Sequence, residues 1–95
     1  MVGPWWEVDL GRPYSLERAR IFNRQEPLFY QRAAKLRVLL SDDSSNWRVV
    51  YDNAGKVFGP EPLVVNLGNA TARYVRVQLA EPNSLHLEEV EVYGR

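Results

Sequence analysis

Apolar and polar residues alternate along this chain with a period of two, and they do so again and again. In "WWEVDLG" the residues Trp6, Val8 and Leu10 share one face. In "AKLRVLLS" the shared face is Leu36, Val38 and Leu40. Trp47, Val49 and Tyr51 alternate with Arg48, Val50 and Asp52. "LVVNLG" offers Leu63, Val65 and Leu67, and "RYVRVQL" offers Val75, Val77 and Leu79 against Tyr74, Arg76 and Gln78. Each run is short, rich in Val, Leu, Trp and Tyr, and bounded by Gly, Pro, Asn, Asp or Ser, as strands are. No segment carries a sustained helical stripe, and no repeat, linker or low-complexity tract interrupts the pattern. The pattern predicts an all-β fold of about seven strands, a β-sandwich or jelly roll.

Two runs break phase. In "SLERARIFN" Leu16 is out of register with Ala19 and Ile21. In "LHLEEVEVYG" Leu85 and Leu87 have the opposite parity to Val90 and Val92. One extra residue near Glu88-Glu89 restores the second phase, which is what a β-bulge does.

The connections are of two kinds, and these alternate along the chain. "GRP" (11–13), "SDDSSN" (41–46) and "GNATA" (68–72) read as compact turns. "RQEPLFYQRA" (24–33), "NAGKVFGPEP" (53–62) and "AEPNS" (80–84) are longer or less regular. If successive strands run up and down, the compact turns share one end and the irregular loops share the other. Trp5 and His86, at the starts of the first and last strands, join the irregular end. Ligand-binding residues in such folds concentrate where loops cluster.

Size and charge narrow the field. The 95 residues make one domain, residues 1–95, and the run into a strand pattern straight after Met1-Val2-Gly3 reads as a domain of a longer protein. Twelve basic residues balance twelve acidic ones, so no global field draws the chain to nucleic acid or to an anionic membrane. There is no cysteine, which excludes disulfides, thiolate metal sites and cysteine nucleophiles. No apolar run approaches the roughly 20 residues of a membrane-spanning helix.

The irregular end gathers the candidate binding residues: Arg24, Glu26, Phe29, Tyr30, Arg32, Asn53, Phe58 and His86. Arginine supplies a fixed fork of donors, and Asn and Glu supply acceptors. Aromatic rings supply flat apolar faces. A sugar needs both, because its hydroxyls want directed polar partners and its C–H face wants an aromatic platform. The same mixture of Tyr, Phe and Arg suits a protein-binding hot spot, so a protein- or assembly-interaction module stands as the alternative. Phe29 and Tyr30 could equally fold back onto the core. Catalysis has little to work with. Asp42-Asp43 lie in a predicted tight turn, His86 is the lone histidine, and no Gly-x-Ser-x-Gly motif is present. The expectation is a binding module without enzymatic activity and without a cofactor.

The segments "PWWEVDLG", "ARIFNR", "LRVLLSDDSSNWRVVYD", "ARYVRVQL" and "LHLEEVEVYG" together resemble the discoidin family, that of the coagulation factor V/VIII C-type domains. Family 32 carbohydrate-binding modules and fucose-binding F-type lectins are related to it. The resemblance covers essentially the whole chain. It implies a galactose-binding-like jelly roll, here lacking the family's N-terminal strands, with ligands held by loops at one end. It also implies an extracellular or cell-surface setting and a carbohydrate partner. F-type lectins carry Arg-x-Asp followed by a second basic residue. Arg24, Glu26 and Arg32 fall on that motif with glutamate for aspartate and the second arginine one residue later, and the family's upstream histidine has no counterpart here. The family often holds calcium, and Glu88 (through its carbonyl) and Glu89 (through its carboxylate) match the final-strand share of that site. Two ligands cannot satisfy a cation that takes six to eight oxygens, so no bound metal is expected. Lacking the first strands, the sheet should expose an edge, either blunted by charge or paired in a homo-oligomer.

Overall fold

The computed structural model describes residues 4–23, 33–79 and 87–95. Five strands carry the fold: β1 (Trp5–Asn23), β2 (Leu36–Ser41), β3 (Arg48–Asp52), β4 (Leu63–Leu79) and β5 (Leu87–Gly94). All neighbours are antiparallel, in the order β3-β2-β4-β1-β5.

The 19-residue β1 would stretch about 60 Å if straight, yet the longest dimension of the molecule is 37 Å. The sheet therefore folds over on itself. The fold line runs where the β1–β4 register slips, between the Asp9↔Tyr74 and Tyr14↔Ala72 pairs. On one side, Trp5–Asp9 of β1 pairs with Tyr74–Gln78 of β4, which also pairs with β2. On the other, Arg18–Ile21 pairs with Leu63–Asn66, and β5 joins along β1. One layer is thus β3, β2 and the two halves of β4 and β1 beside them. The other is the remaining halves with β5. The result is a jelly-roll sandwich. The seven alternating runs of the sequence are present as five continuous strands, because β1 and β4 each contain two.

This corrects the reading of "GRP" and "GNATA". They are corners within strands, not reversals between them. Both corners use one device. Asp9 Oδ1 accepts from the Gly11 amide, and Asn66 Oδ1 accepts from the Gly68 amide, each at 2.8 Å. Gly11 and Gly68 then take φ of +87° and +61°, a region costly for residues with a Cβ. "DLG" and "NLG" are the same turn written twice. Because each corner folds its strand back, the two-ended arrangement survives: Ser15 Oγ donates to Asn69 O, joining the two corners, and Arg48 at the start of β3 donates a guanidinium N–H to Thr71 O while pairing with Asp42 of the 42–46 turn.

The core lies between the layers. Leu16, Ala19, Ile21, Val65, Leu67 and Ala72 from the corner-side halves meet Leu36, Val38, Leu40, Val75, Val77 and Leu79. Each fully buried Leu, Ile or Val contributes about 1.5–3 kcal/mol relative to exposure. Both phase breaks are bulges: the register slips between Leu16 and Arg18, and Glu88 is the extra residue between Phe22↔Glu89 and Asn23↔Leu87. A third bulge corrects the reading of β3. Val38 faces Tyr51 and Leu39 faces Val49, so Val50 is the extra residue. Val49, expected inward, is 51% exposed, while Val50 and Tyr51 pack on the core.

Candidate functional site

Register fixes which chain ends come together. Trp5↔Gln78, Leu36↔Leu79 and Arg37↔Asp52 end one layer. Ile21↔Leu63 and Asn23↔Leu87 end the other. The loop 53–62 crosses between them at this end. Asn23 and Ala33 flank residues 24–32, and Leu79 and Leu87 flank 80–86, and these four anchors belong to this same end. The expectations for Arg24, Glu26, Phe29, Tyr30, Arg32 and His86 fall outside the described residues. Asn53 and Phe58 lie within them.

Asn53 is only 1% exposed, and its amide is fully engaged. Nδ2 donates to Ala34 O at 2.9 Å and to Lys56 O at 2.6 Å, and Oδ1 accepts from the Tyr51 hydroxyl at 2.8 Å. Its backbone amide donates to Leu36 O, and the Gly55 amide donates to Ala34 O. Ala54 and Gly55 both have positive φ, with the Lys56 amide donating back to Asn53 O, as in a type I′ turn. Sequence reading placed Asn53 among the ligand contacts. Its burial instead makes it the peg that fastens the 53–56 turn to the start of β2. An asparagine after a strand reads equally well as turn residue or ligand, and only the burial separates the two.

Phe58 is half-buried and packs against the core. Its carbonyl accepts from Asn23 Nδ2 at 2.9 Å, so the end of β1 holds this loop too. Asn23, only 2% exposed, was not singled out in the sequence; the signal was a polar residue directly after the strand segment "ARIF". Among the described residues at this end, the side chains offered to solvent include Trp5, 56% exposed, Val57, 57% exposed, Lys56 and Glu61. Asp52 is occupied: Oδ2 takes Arg37 Nε at 3.2 Å and Oδ1 takes the Ala54 amide.

Trp5 is held rather than loose. The Arg76 guanidinium lies 4.7 Å from the Trp5 ring and 4.1 Å from the Trp47 ring. Arg76 Nε and Nη2 both donate to Glu7 Oε1, at 2.9 and 2.7 Å. Trp47 in turn meets Tyr74 edge-on. This outer-face stack sits beside Leu39, which is 1% exposed although it stands outside the main core and has Arg76 and Val49 as register neighbours. Alternation put Arg76 on the outer face, but its partners come from strands far away in sequence.

The opposite end holds turn chemistry. Asp43 accepts from the Ser45 and Asn46 amides, the Asn46 side chain and the Ser41 hydroxyl, and these donors hold its carboxyl well below the usual range. It caps a turn. Toward a cation, the final strand supplies little. The Glu89 carboxyl shares a hydrogen bond with Glu91, which together with the charge of Glu91 raises its pKa. Glu91 is lowered, first by the Tyr93 hydroxyl. Among the described residues no three acidic or imidazole groups converge on one point. Glu88 and Glu89 alone do not fit a calcium shell.

A family model described as "NedA-like, galactose-binding domain", of the F5/F8 type C group, matches residues 2–77. No curated protein sequence matches. Among solved structures, a fucose-binding module of Streptococcus pneumoniae aligns with a TM-score of 0.77 at 29% identity, over 96% of this chain and 63% of the other. The lectin domain of lectinolysin, solved with Lewis B antigen, gives 0.75 at 29% identity over 96% and 64%. Chitosan-binding module 1 of a Paenibacillus chitosanase/glucanase gives 0.76 at 27% identity over 95% and 67%. The chain therefore spans about two thirds of the length of these structures.

Proposed function

The chain belongs to the NedA-like galactose-binding domain family, and on that premise we propose that it is a non-catalytic carbohydrate-binding module with a shallow site in the loops at one end of the sandwich. Arg24 and Arg32 donate to sugar hydroxyls. Glu26 orients Arg24 or accepts from a hydroxyl. Phe29, Tyr30 or Phe58 lies under the C–H face of the ring, and His86 borders the site. Asn53 serves this site from beneath, as the fastener of its floor. The reading places the module outside the cell, where glycans are.

One observation carries the proposal: three structures at 27–29% identity, of modules named for fucose, Lewis B antigen and chitosan, share this fold over nearly all of this chain. The two-ended architecture supports it. Among the described residues, Trp5, Lys56, Val57 and Glu61 face solvent at the loop end. Affinity should be weak, with Kd of about 0.1–1 mM, because a shallow wet site exchanges water for hydroxyls nearly evenly.

A glycan array followed by calorimetry on the best hit tests this, with Arg24→Ala and Arg32→Ala alongside. Each variant should stay folded and lose about tenfold or more in affinity, as expected when a charge-assisted hydrogen bond is removed. A folded domain that binds no glycan at millimolar concentration would defeat the carbohydrate reading and leave the same loops to a protein partner.

A further inference from the structure

The inner row of β1 ends on a polar residue. Ala19 and Ile21 are fully buried, and Asn23 takes the next inward position of the same row. An apolar side chain would fill that position without desolvating a polar group, whereas a buried amide has to find partners. Asn23 Nδ2 finds one in the Phe58 carbonyl, 35 residues away, at 2.9 Å. Among the described residues this is the only hydrogen bond made by residues 57–61. Asn53 works in the same way from the other layer, with Nδ2 donating to Lys56 O and to Ala34 O. Two buried amides, one from each layer, therefore hold carbonyls two residues apart.

We infer that Asn23 is a positioning residue for the sugar site and that Phe58 is the ring on which the sugar sits. The inference rests on the carbohydrate reading above. Asn23 is itself too deeply buried to meet a ligand, and it acts through the Phe58 backbone.

The placement of Phe58 favours it as the platform. The ring packs on the core yet stays half-buried, so it is backed on one side and not enclosed. Lys56 and Val57, its neighbours in the chain, are exposed between and beside the two held carbonyls. A ring supported by the core, with its own carbonyl pinned by a buried amide, is set in place before any ligand arrives. Such preorganisation strengthens binding, because the ligand has less of the loop to order. Without the Asn23 bond, residues 57–61 would sample more positions, and binding would have to select among them.

The test has one arm without ligand and one with it. In the first, ring-labelled phenylalanine reports on Phe58 by NMR in wild type and in Asn23→Ala. The Phe58 ring signal should shift or broaden in the variant, while the Trp47 indole signal stays in place. In the second, calorimetry follows titration with fucose, with Lewis B antigen and with a chitosan oligosaccharide. Asn23→Ala should weaken the binding of whichever sugar binds by about fivefold to tenfold, the scale of one net hydrogen bond. In a Phe58→Leu background the same substitution should change affinity by less than about twofold, because Asn23 acts through that ring. A purely structural role would lower Tm but leave the affinity of the folded protein unchanged, and that result overturns the inference. So does an unmoved Phe58 signal, or an equal loss in both backgrounds. If wild type binds none of the three sugars while the Phe58 signal responds, the carbohydrate reading falls, and with it the ring as a sugar platform, but the anchoring of Phe58 by Asn23 stands. Should Asn23→Ala fail to fold, Asn23→Ser carries both arms, since its hydroxyl leaves a smaller cavity and falls short of the Phe58 carbonyl.

Discussion

Replacing Asn53 by alanine removes three side-chain hydrogen bonds, those to Ala34 O, Lys56 O and the Tyr51 hydroxyl. At about 1 kcal/mol net for each, the loss is about 3 kcal/mol. For a domain of this size that lowers Tm by about 10–20 °C. Aspartate has nearly the shape of asparagine and should do worse at neutral pH. It would set a carboxylate oxygen where Nδ2 now meets two carbonyl oxygens, at 2.9 and 2.6 Å, in a site 1% exposed. Burial and those carbonyls would raise the new carboxyl's pKa above its unfolded value. A raised acid favours the protonated folded state, so the penalty of Asn53→Asp should shrink as pH falls below that pKa. Scanning calorimetry of wild type, Asn53→Ala and Asn53→Asp at pH 7 and pH 4 checks both statements. Should Asn53→Ala stay within about 0.5 kcal/mol of wild type, as surface substitutions do, the peg role is wrong and Asn53 returns to the candidate ligand contacts.

Gly94→Ala should detach the end of β5, because an added Cβ meets the Ser15 carbonyl and leaves no room for the paired Ser15 and Arg95 backbone bonds; faster hydrogen exchange at Ser15 and Arg95 is the readout. Arg76→Lys should cost about 1–3 kcal/mol, since an ammonium cannot fill the slot between two indoles while holding Glu7 with two donors, and chemical denaturation followed by tryptophan fluorescence measures it. Asp43 has a depressed folded pKa, so its contribution is present above the unfolded value of about 3.9 and is lost as pH falls through the folded one. The Tm gap between wild type and Asp43→Ala should therefore be widest near neutral pH and close in acid.

Period-two alternation exposed the strands because each one buries a single face, and breaks in that alternation exposed the bulges at Leu16 and Glu88. The bulge at Val50 escaped because Val49 and Val50 are equally apolar, so the sequence does not show which of them turns inward. The corners at Gly11 and Gly68 looked like reversals because a residue pattern reports a local turn and not whether the strand continues beyond it. At the candidate site, clustering of loops at one end followed from chain direction alone. The part played by Asn53 did not, since its partners Ala34 and Tyr51 are brought to it by the fold. The same holds for Arg76 between Trp5 and Trp47: sequence gives side-chain type and face, while stacking requires β1, β3 and β4 to be assembled.

The central claim is that sugar binds at the loop end. An NMR titration of the isotope-labelled domain with the best glycan from the array tests it most directly. The account predicts shifts at the amides of Trp5, Lys56, Val57 and Phe58 and in the side chains of Arg24 and Arg32, with Asp43, Asn69 and Gly11 unmoved. Saturable shifts centred on the corner end, or none anywhere in a folded domain, would contradict it.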